Sequence, residues 1–238
     1  MKNLRVVWLI GLVLGVAALL VLVSRGHLLV RESTAQTPQA DEQEMVQILR
    51  REGLRGAARV KGHYIADFDA HWDFGLFDVE GLTRNSAAVV VGVAGRSLGG
   101  HLTASDLAIV TDYEVVVQDT IKGDAVVGST IVVSMPGGRV DFPDGTSAEL
   151  RTPKFEHVRS GGSYTFFLTE VEESPGKFTL TGGPQGLVEL VGDGSVKSHG
   201  REDDPIAKQS KRKNRQTFLE DVRESTKKWP NKGKCCSD

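Results

Sequence analysis

The apolar positions change rhythm along the chain, and each rhythm predicts a different kind of element. Residues 6–23, VVWLIGLVLGVAALLVLV, form an unbroken apolar run between Lys2 and Arg5 on one side and Ser24 and Arg25 on the other. Eighteen helical residues reach about 27 Å at about 1.5 Å each, close to the roughly 30 Å hydrocarbon thickness of a bilayer. The run is longer than the apolar part of a secretory signal, and Arg25 spoils the nearest small-residue cleavage site, Ser24-Arg25-Gly26. Residues 1–23 are therefore read as a signal anchor, with a cleaved signal peptide as the alternative. Lys2, Arg5 and the amino terminus favour the cytoplasmic side, which places the rest of the chain outside the cytoplasm. The expected localisation is membrane-anchored, single-pass and extracytoplasmic, or secreted or periplasmic if the segment is cleaved. Gly11 and Gly15 have the GxxxG spacing of close helix pairs, but glycine is common in such segments and pairing is not inferred from it.

Residues 24–44 are polar and read as a linker. Met45, Ile48 and Leu49 have helical spacing and predict a short amphipathic helix ending near Gly53, within a helical and irregular lead-in over 45–86. A second short helix is predicted over 79–85. From Ala87 the period becomes two. Strands are predicted at 87–95, 107–121, 130–135, 164–171, 177–182 and 186–191, separated by glycine-rich turns. Five or six short strands of this kind bury their edges by closing, so residues 87–196 are expected to form a small β-barrel. Residues 197–216 read as a charged connector. Thr217 and Glu220 have capping-box spacing ahead of Phe218, Leu219 and Val222, and Pro230 bars extension past Trp229. A C-terminal helix over about 218–228, within 217–229, follows from this, and 230–238 is a tail. The fold class is thus mainly β: a small closed barrel after an N-terminal transmembrane helix, with a short C-terminal helix.

The order of these strands carries a resemblance. A-x-V-V-V-G-x-V (Ala88 onward) leads to V-x-x-x-x-K-G (Val117 to Gly123), then a valine-rich strand, then G-x-x-Y-x-x-F-L (Gly162 onward) and a hairpin. This resembles the OB-fold barrel of tissue inhibitors of metalloproteinases and netrin-like modules, in a cysteine-free bacterial style. The likeness covers roughly residues 85–191 and implies a fold. Inhibitors of that family chelate their target's zinc through an N-terminal cysteine, and this chain has no cysteine before Cys235. The resemblance therefore does not imply metalloproteinase inhibition.

Charge narrows the partners. Residues 80–200 hold 9 basic and 15 acidic side chains, whereas 201–238 hold 11 and 7. An acidic barrel repels phosphate backbones, so nucleic acid is not an expected partner. Cys235 and Cys236 sit beside each other at the end of the chain and cannot staple a domain. Their likeness to prenylated double-cysteine tails is set aside, because no phosphate-binding loop accompanies it and the chain ends in Asp238.

Two constellations invite a catalytic or metal reading. Gly95-Arg96-Ser97-Leu98-Gly99 is a G-x-S-x-G after an apolar strand, with His101 close by. A hydrolase elbow needs βα units before it and a helix after it, and this sequence provides neither. A glycine-rich hairpin loop is the reading adopted. His63, Asp67, Asp69, His71 and Asp73 place several metal-binding side chains on one face of an extended segment. Alternate strand residues lie about 6.6–7 Å apart, so they cannot converge on one ion. A half-buried strand or loop packing Phe68, Trp72 and Phe74 is expected instead. Pro136-Gly137-Gly138-Arg139 lacks phosphate-loop spacing and reads as a turn, and His27, His157 and His199 fall in expected linkers or loops.

No catalytic, cofactor-binding or metal residue is assigned, and no cofactor is expected. The expectation is a membrane-tethered extracytoplasmic binding module without catalysis of its own. Its partners would be the membrane, through residues 6–23, and a protein or other envelope component. The alternatives are an envelope structural protein using its basic tail, or an enzyme centred on Ser97 and His101 or on Asp67 to Asp73.

Overall fold

The computed structural model describes residues 38–68, 75–153, 155–172 and 174–230. It divides into two units, Met1–Asp41 and Glu42–Asp238, and everything below concerns the second apart from the first turn of one helix. The apolar segment 6–23 lies outside the described residues. Among the described residues, no helix is long and apolar enough to cross a membrane.

The first helix, α1 (Pro38–Lys61), begins inside the stretch expected to be linker. Proline suits the first turn because its missing N–H would have no helical partner there, and Asp41 adds an acid where the helix dipole favours one. The helix breaks at Gly53 (φ 64°), near its expected end, and then resumes. At the break Leu54 N donates to Asp106 O at 2.8 Å, and a Cβ on Gly53 would lie 2.6 Å from that oxygen. The close approach of the 103–108 turn thus requires glycine. Short strand β1 (His63–Asp67) follows, then α2 (Val79–Asn85), capped by Asp78 accepting from Gly81 N at 2.7 Å.

The main sheet contains β2 (Ala88–Leu102), β3 (Ile109–Lys122), β4 (Thr130–Pro136), β7 (Ser163–Glu170), β8 (Lys177–Leu180), β9 (Leu187–Leu190) and β10 (Val196–Ser198). A small sheet of β1, β6 (Ser147–Arg151) and β5 (Gly138–Asp141) lies beside it, in the order β1-β6-β5. The protein is therefore mainly β, and its large sheet partly closes. One edge of β7 pairs along Ala88–Val93 of β2. Its other edge is shared: Tyr164 to Phe166 take β9, and Leu168 to Glu170 take β8. Strand β8 also runs parallel to β4, joining Val132 to Ser134 with Lys177 to Thr179. The chain passes from β8 to β9 through a tight turn, Gly183–Gly186, where a Cβ on Gly186 would sit 2.4 Å from Thr181 O.

Three cores result. Val90, Val115, Val133, Met135, Tyr164, Phe166, Leu168 and Leu187 fill the curved side of the sheet. On its opposite face Val89, Val91, Phe167 and Val188 meet α2, α3 (Pro205–Ser210) and α4 (Arg215–Lys228) through Leu82, Ile206, Phe218 and Val222. The third core joins Leu54 and Ala58 of α1 to Ala148 and Leu150 of β6 and to Phe142, which follows β5.

Three expectations need correction. Residues 95–102 are strand rather than hairpin loop, because bulges around Ser97 absorb the extra residues and the chain turns only after Leu102. The expected connector 197–216 contains the end of β10 and the whole of α3, whose Ile206 and Ala207 are buried. The C-terminal helix starts at Arg215, not after a Thr217 cap: Asn214 Oδ1 accepts from Thr217 N at 2.9 Å, and Glu220 instead accepts from Gln216.

Candidate functional site

The sheet brings together, on its outer face, residues far apart in sequence. Asp112 lies on β3, Ser134 on β4, Lys177 opens β8 and His101 lies near the end of β2. Inward positions on β3 are Tyr113, Val115 and Val117, so Asp112, Glu114 and Val116 point the other way. Lys177 Nζ donates to Asp112 Oδ2 at 2.8 Å and to His101 Nε2 at 3.2 Å, while Ser134 Oγ donates to Asp112 Oδ1 at 2.6 Å. Since an ammonium can only donate, His101 Nε2 is an acceptor and a neutral ring carries its proton on Nδ1. The Lys177 and Asp112 side chains are 25% and 16% exposed, against 44% for His101. The cluster is thus anchored at the pair and open at the imidazole. Beside it Arg96 makes a two-pronged contact with Glu114, both bonds at 3.1 Å.

Ser97 and His101 do not form a nucleophile–base pair. Ser97 Oγ accepts from Gly99 N at 3.2 Å, and the His101 ring is committed to Lys177. Ser134 is held by a carboxylate rather than an imidazole. Asp67 pairs in register with Arg151 on the small sheet, and His63 Nδ1 lies 2.6 Å from Ser147 Oγ. Asp69, His71 and Asp73 fall outside the described residues, as do Cys235 and Cys236. Among the described residues no three His, Cys, Asp or Glu side chains gather where they could hold a metal ion. The Pro136-Gly137-Gly138-Arg139 turn is structural: Gly137 O accepts from Thr111 Oγ1 at 2.7 Å, and Arg139 pairs with Asp141.

A second cluster forms where the 152–162 strap, between β6 and β7, lies over the first core. Phe155 and Val158 are buried there. His157 Nδ1 accepts from Tyr113 OH at 2.7 Å and its Nε2–H donates to Pro136 O at 2.8 Å, an arrangement that suits one neutral tautomer. Burial pushes the His157 pKa down against the opposing pull of that carbonyl, and burial pushes Tyr113 up. His199 Nδ1–H donates to Glu156 O at 3.0 Å. Among the described residues its buried Nε2 has no hydrogen-bond partner, and it lies 3.7 Å from Glu189 Oε2. Burial lowers the His199 pKa, with Glu156 and Glu189 pulling the other way. Arg159 Nη2 holds the second Glu189 oxygen at 2.6 Å. Phe155 packs against both imidazoles, with ring centroids 5.4 Å from His157 and 6.3 Å from His199.

Sequence reasoning singled out His101 but missed Asp112, Ser134 and Lys177. Strand alternation marks Asp112 as outward-facing, yet only the β4–β8 pairing brings Lys177 to it. No family model matches the chain, and no curated protein was found to be similar to it.

Proposed function

We propose that the protein is a membrane-tethered, extracytoplasmic binding module without catalysis of its own, and that it recognises a protein partner with the outer face of β3 and β4. The observation that carries this reading is the circuit of pairings β2-β3-β4-β8-β7-β2, with β4 and β8 parallel. Numbered along the chain, those five strands run 1-2-3-5-4 and back to 1, the order of an OB-like barrel. Such barrels bind across their second and third strands, between the loop after the first and the loop before the last. Here those strands are β3 and β4. His101 and Lys177 border the two corresponding loops, which supports reading the polar cluster as part of that face. Fold-level analogy supplies the face, and the fixed charges of Lys177, Asp112, Arg96 and Glu114 supply the specificity. The tether rests on residues 6–23 and on Lys2 and Arg5, as argued from sequence.

A photo-crosslinking residue placed at Val116, 41% exposed on that face, tests the proposal in cells. A discrete adduct from Val116 but not from Glu202, on the far helical side, is the expected result. Identical patterns from both positions contradict it. Stoichiometric labelling of Ser97 by a fluorophosphonate would favour the enzymatic alternative instead.

A further inference from the structure

Between Asp204 and Glu220 the chain carries Lys208, Lys211, Arg212, Lys213 and Arg215 and no acidic residue. Folding gathers this run at one corner. Ile206, Ala207 and Ser210 of α3 and Phe218 and Leu219 of α4 are turned into the core, which leaves Lys208, Lys211, Arg212 and Arg215 exposed. Lys213 is taken up by Asp221, and Lys211 reaches Glu202 only at 3.9 Å. Lys208, Arg212 and Arg215 have no ion pair among the described residues. Arg215 is moreover the first residue of α4, with no acid in that turn, so its cation sits at the positive end of the helix dipole. That placement works against the fold. An anion outside the molecule would relieve it.

We infer that this corner docks on anionic lipid headgroups of the membrane that the N-terminal segment enters; the inference rests on the tether in the proposed function. Two observations favour a lipid surface over nucleic acid. The 80–200 region is acidic by six charges, so a polyanion wrapping the body meets repulsion, whereas a flat anionic surface can meet the basic corner alone. The N-terminus of α4 is also closed by the Asn214 side chain, so the corner offers a diffuse positive patch rather than a helix end for a groove. Each basic residue gains little at a lipid surface when it acts alone. The tether changes the arithmetic. Residues 24–37 extend at most roughly 50 Å, and a short tether holds its cargo at about millimolar effective concentration. Docking then fixes the orientation of the body, with the acidic barrel turned away from the bilayer.

The test uses the full chain reconstituted with vesicles of phosphatidylcholine alone or with one-third phosphatidylglycerol. Flotation with the neutral vesicles reports the tether, and amide exchange over residues 205–219 reports the corner, so the two ideas fail separately. Docking predicts roughly tenfold slower exchange on the anionic vesicles at low salt, because lipid contact adds protection beyond that of the folded chain. Raising salt to about 0.5 M removes it, since screening then acts within a few ångströms. The variant Lys208→Gln/Lys211→Gln/Arg212→Gln/Arg215→Gln loses it as well, while Arg212→Lys/Arg215→Lys keeps it. Equal exchange on both vesicles overturns the inference. So does protection of the same amides by duplex DNA with none on anionic vesicles.

Discussion

The cluster around Lys177 and the strap around Phe155 use the same chemical groups: an imidazole, a carboxylate, a cation and a hydroxyl. They differ in where solvent stands. In the first, Lys177 and Asp112 neutralise each other at the sheet surface, and the His101 ring stays accessible. In the second, two imidazoles are pressed against Phe155, and His199 Nε2 is buried 3.7 Å from the Glu189 carboxylate. The first cluster leaves its His101 ring open to solvent while the Lys177–Asp112 pair beneath it stays largely covered. The second is buried, and its charge states are tied to stability. Similar residue types thus make an open polar cluster in one place and a buried, acid-sensitive fastening in the other.

Four perturbations probe that contrast. The largest effect is expected from Phe155→Ala, which empties the space between the two histidines. It should lower stability by about 3–5 kcal/mol, read as an earlier midpoint in urea.

The second is pH. The folded pKa values of His157 and His199 lie below the ordinary value of 6.5, so the unfolded chain takes up protons that the folded chain refuses. Their contribution is whole above that value. It falls as pH drops below 6.5 and levels off beneath the depressed folded values, at up to about 1.4 kcal/mol per pH unit for each extra proton. Urea midpoints at pH 7.5 and 5 should therefore differ, and His157→Gln with His199→Gln should shrink the difference. An unchanged difference would mean that the acid response arises elsewhere.

Third, Lys177→Met leaves Asp112 with the Ser134 hydroxyl and, at 3.8 Å, His101 Nδ1. The pair is only partly exposed, so a loss of about 1–2 kcal/mol is expected, between the surface and buried limits. Adding Asp112→Asn should restore most of it, and a loss that merely adds would break the claim that the two charges act as a pair. The smallest effect is that of Ser97→Ala. Its hydroxyl meets only a neighbouring backbone amide at the surface, so stability should move by less than about 0.5 kcal/mol.

The same contrast explains what the sequence reveals. The valine-rich centres of β2, β3 and β4 and the aromatic centre of β7 are legible because short apolar runs bounded by turn residues mark buried strands, and α2 because its apolar residues recur at helical spacing. Strands β5 and β6 are too short for a period to emerge. The far end of β2 is hidden by its glycines, which read as a loop. Gly100 is in fact required there, since a Cβ would lie 2.3 Å from Arg139 O. Helix α3 has only six residues, and the α4 cap is one asparagine three positions before the expected threonine. The candidate site is the least legible part, because Asp112 and Lys177 stand 65 residues apart and meet only through closure of the sheet. Strand period is local, whereas strand order is not.

The proposed function requires the barrel to be tethered and held outside the cytoplasm. Its most direct test is to express the full chain with a C-terminal tag, fractionate the cells, and read the intact mass of the product. A tethered protein gives full-length mass in the membrane fraction, with the tag shielded from added protease until the outer barrier is opened. Full-length protein in the soluble cytoplasmic fraction would contradict the proposal.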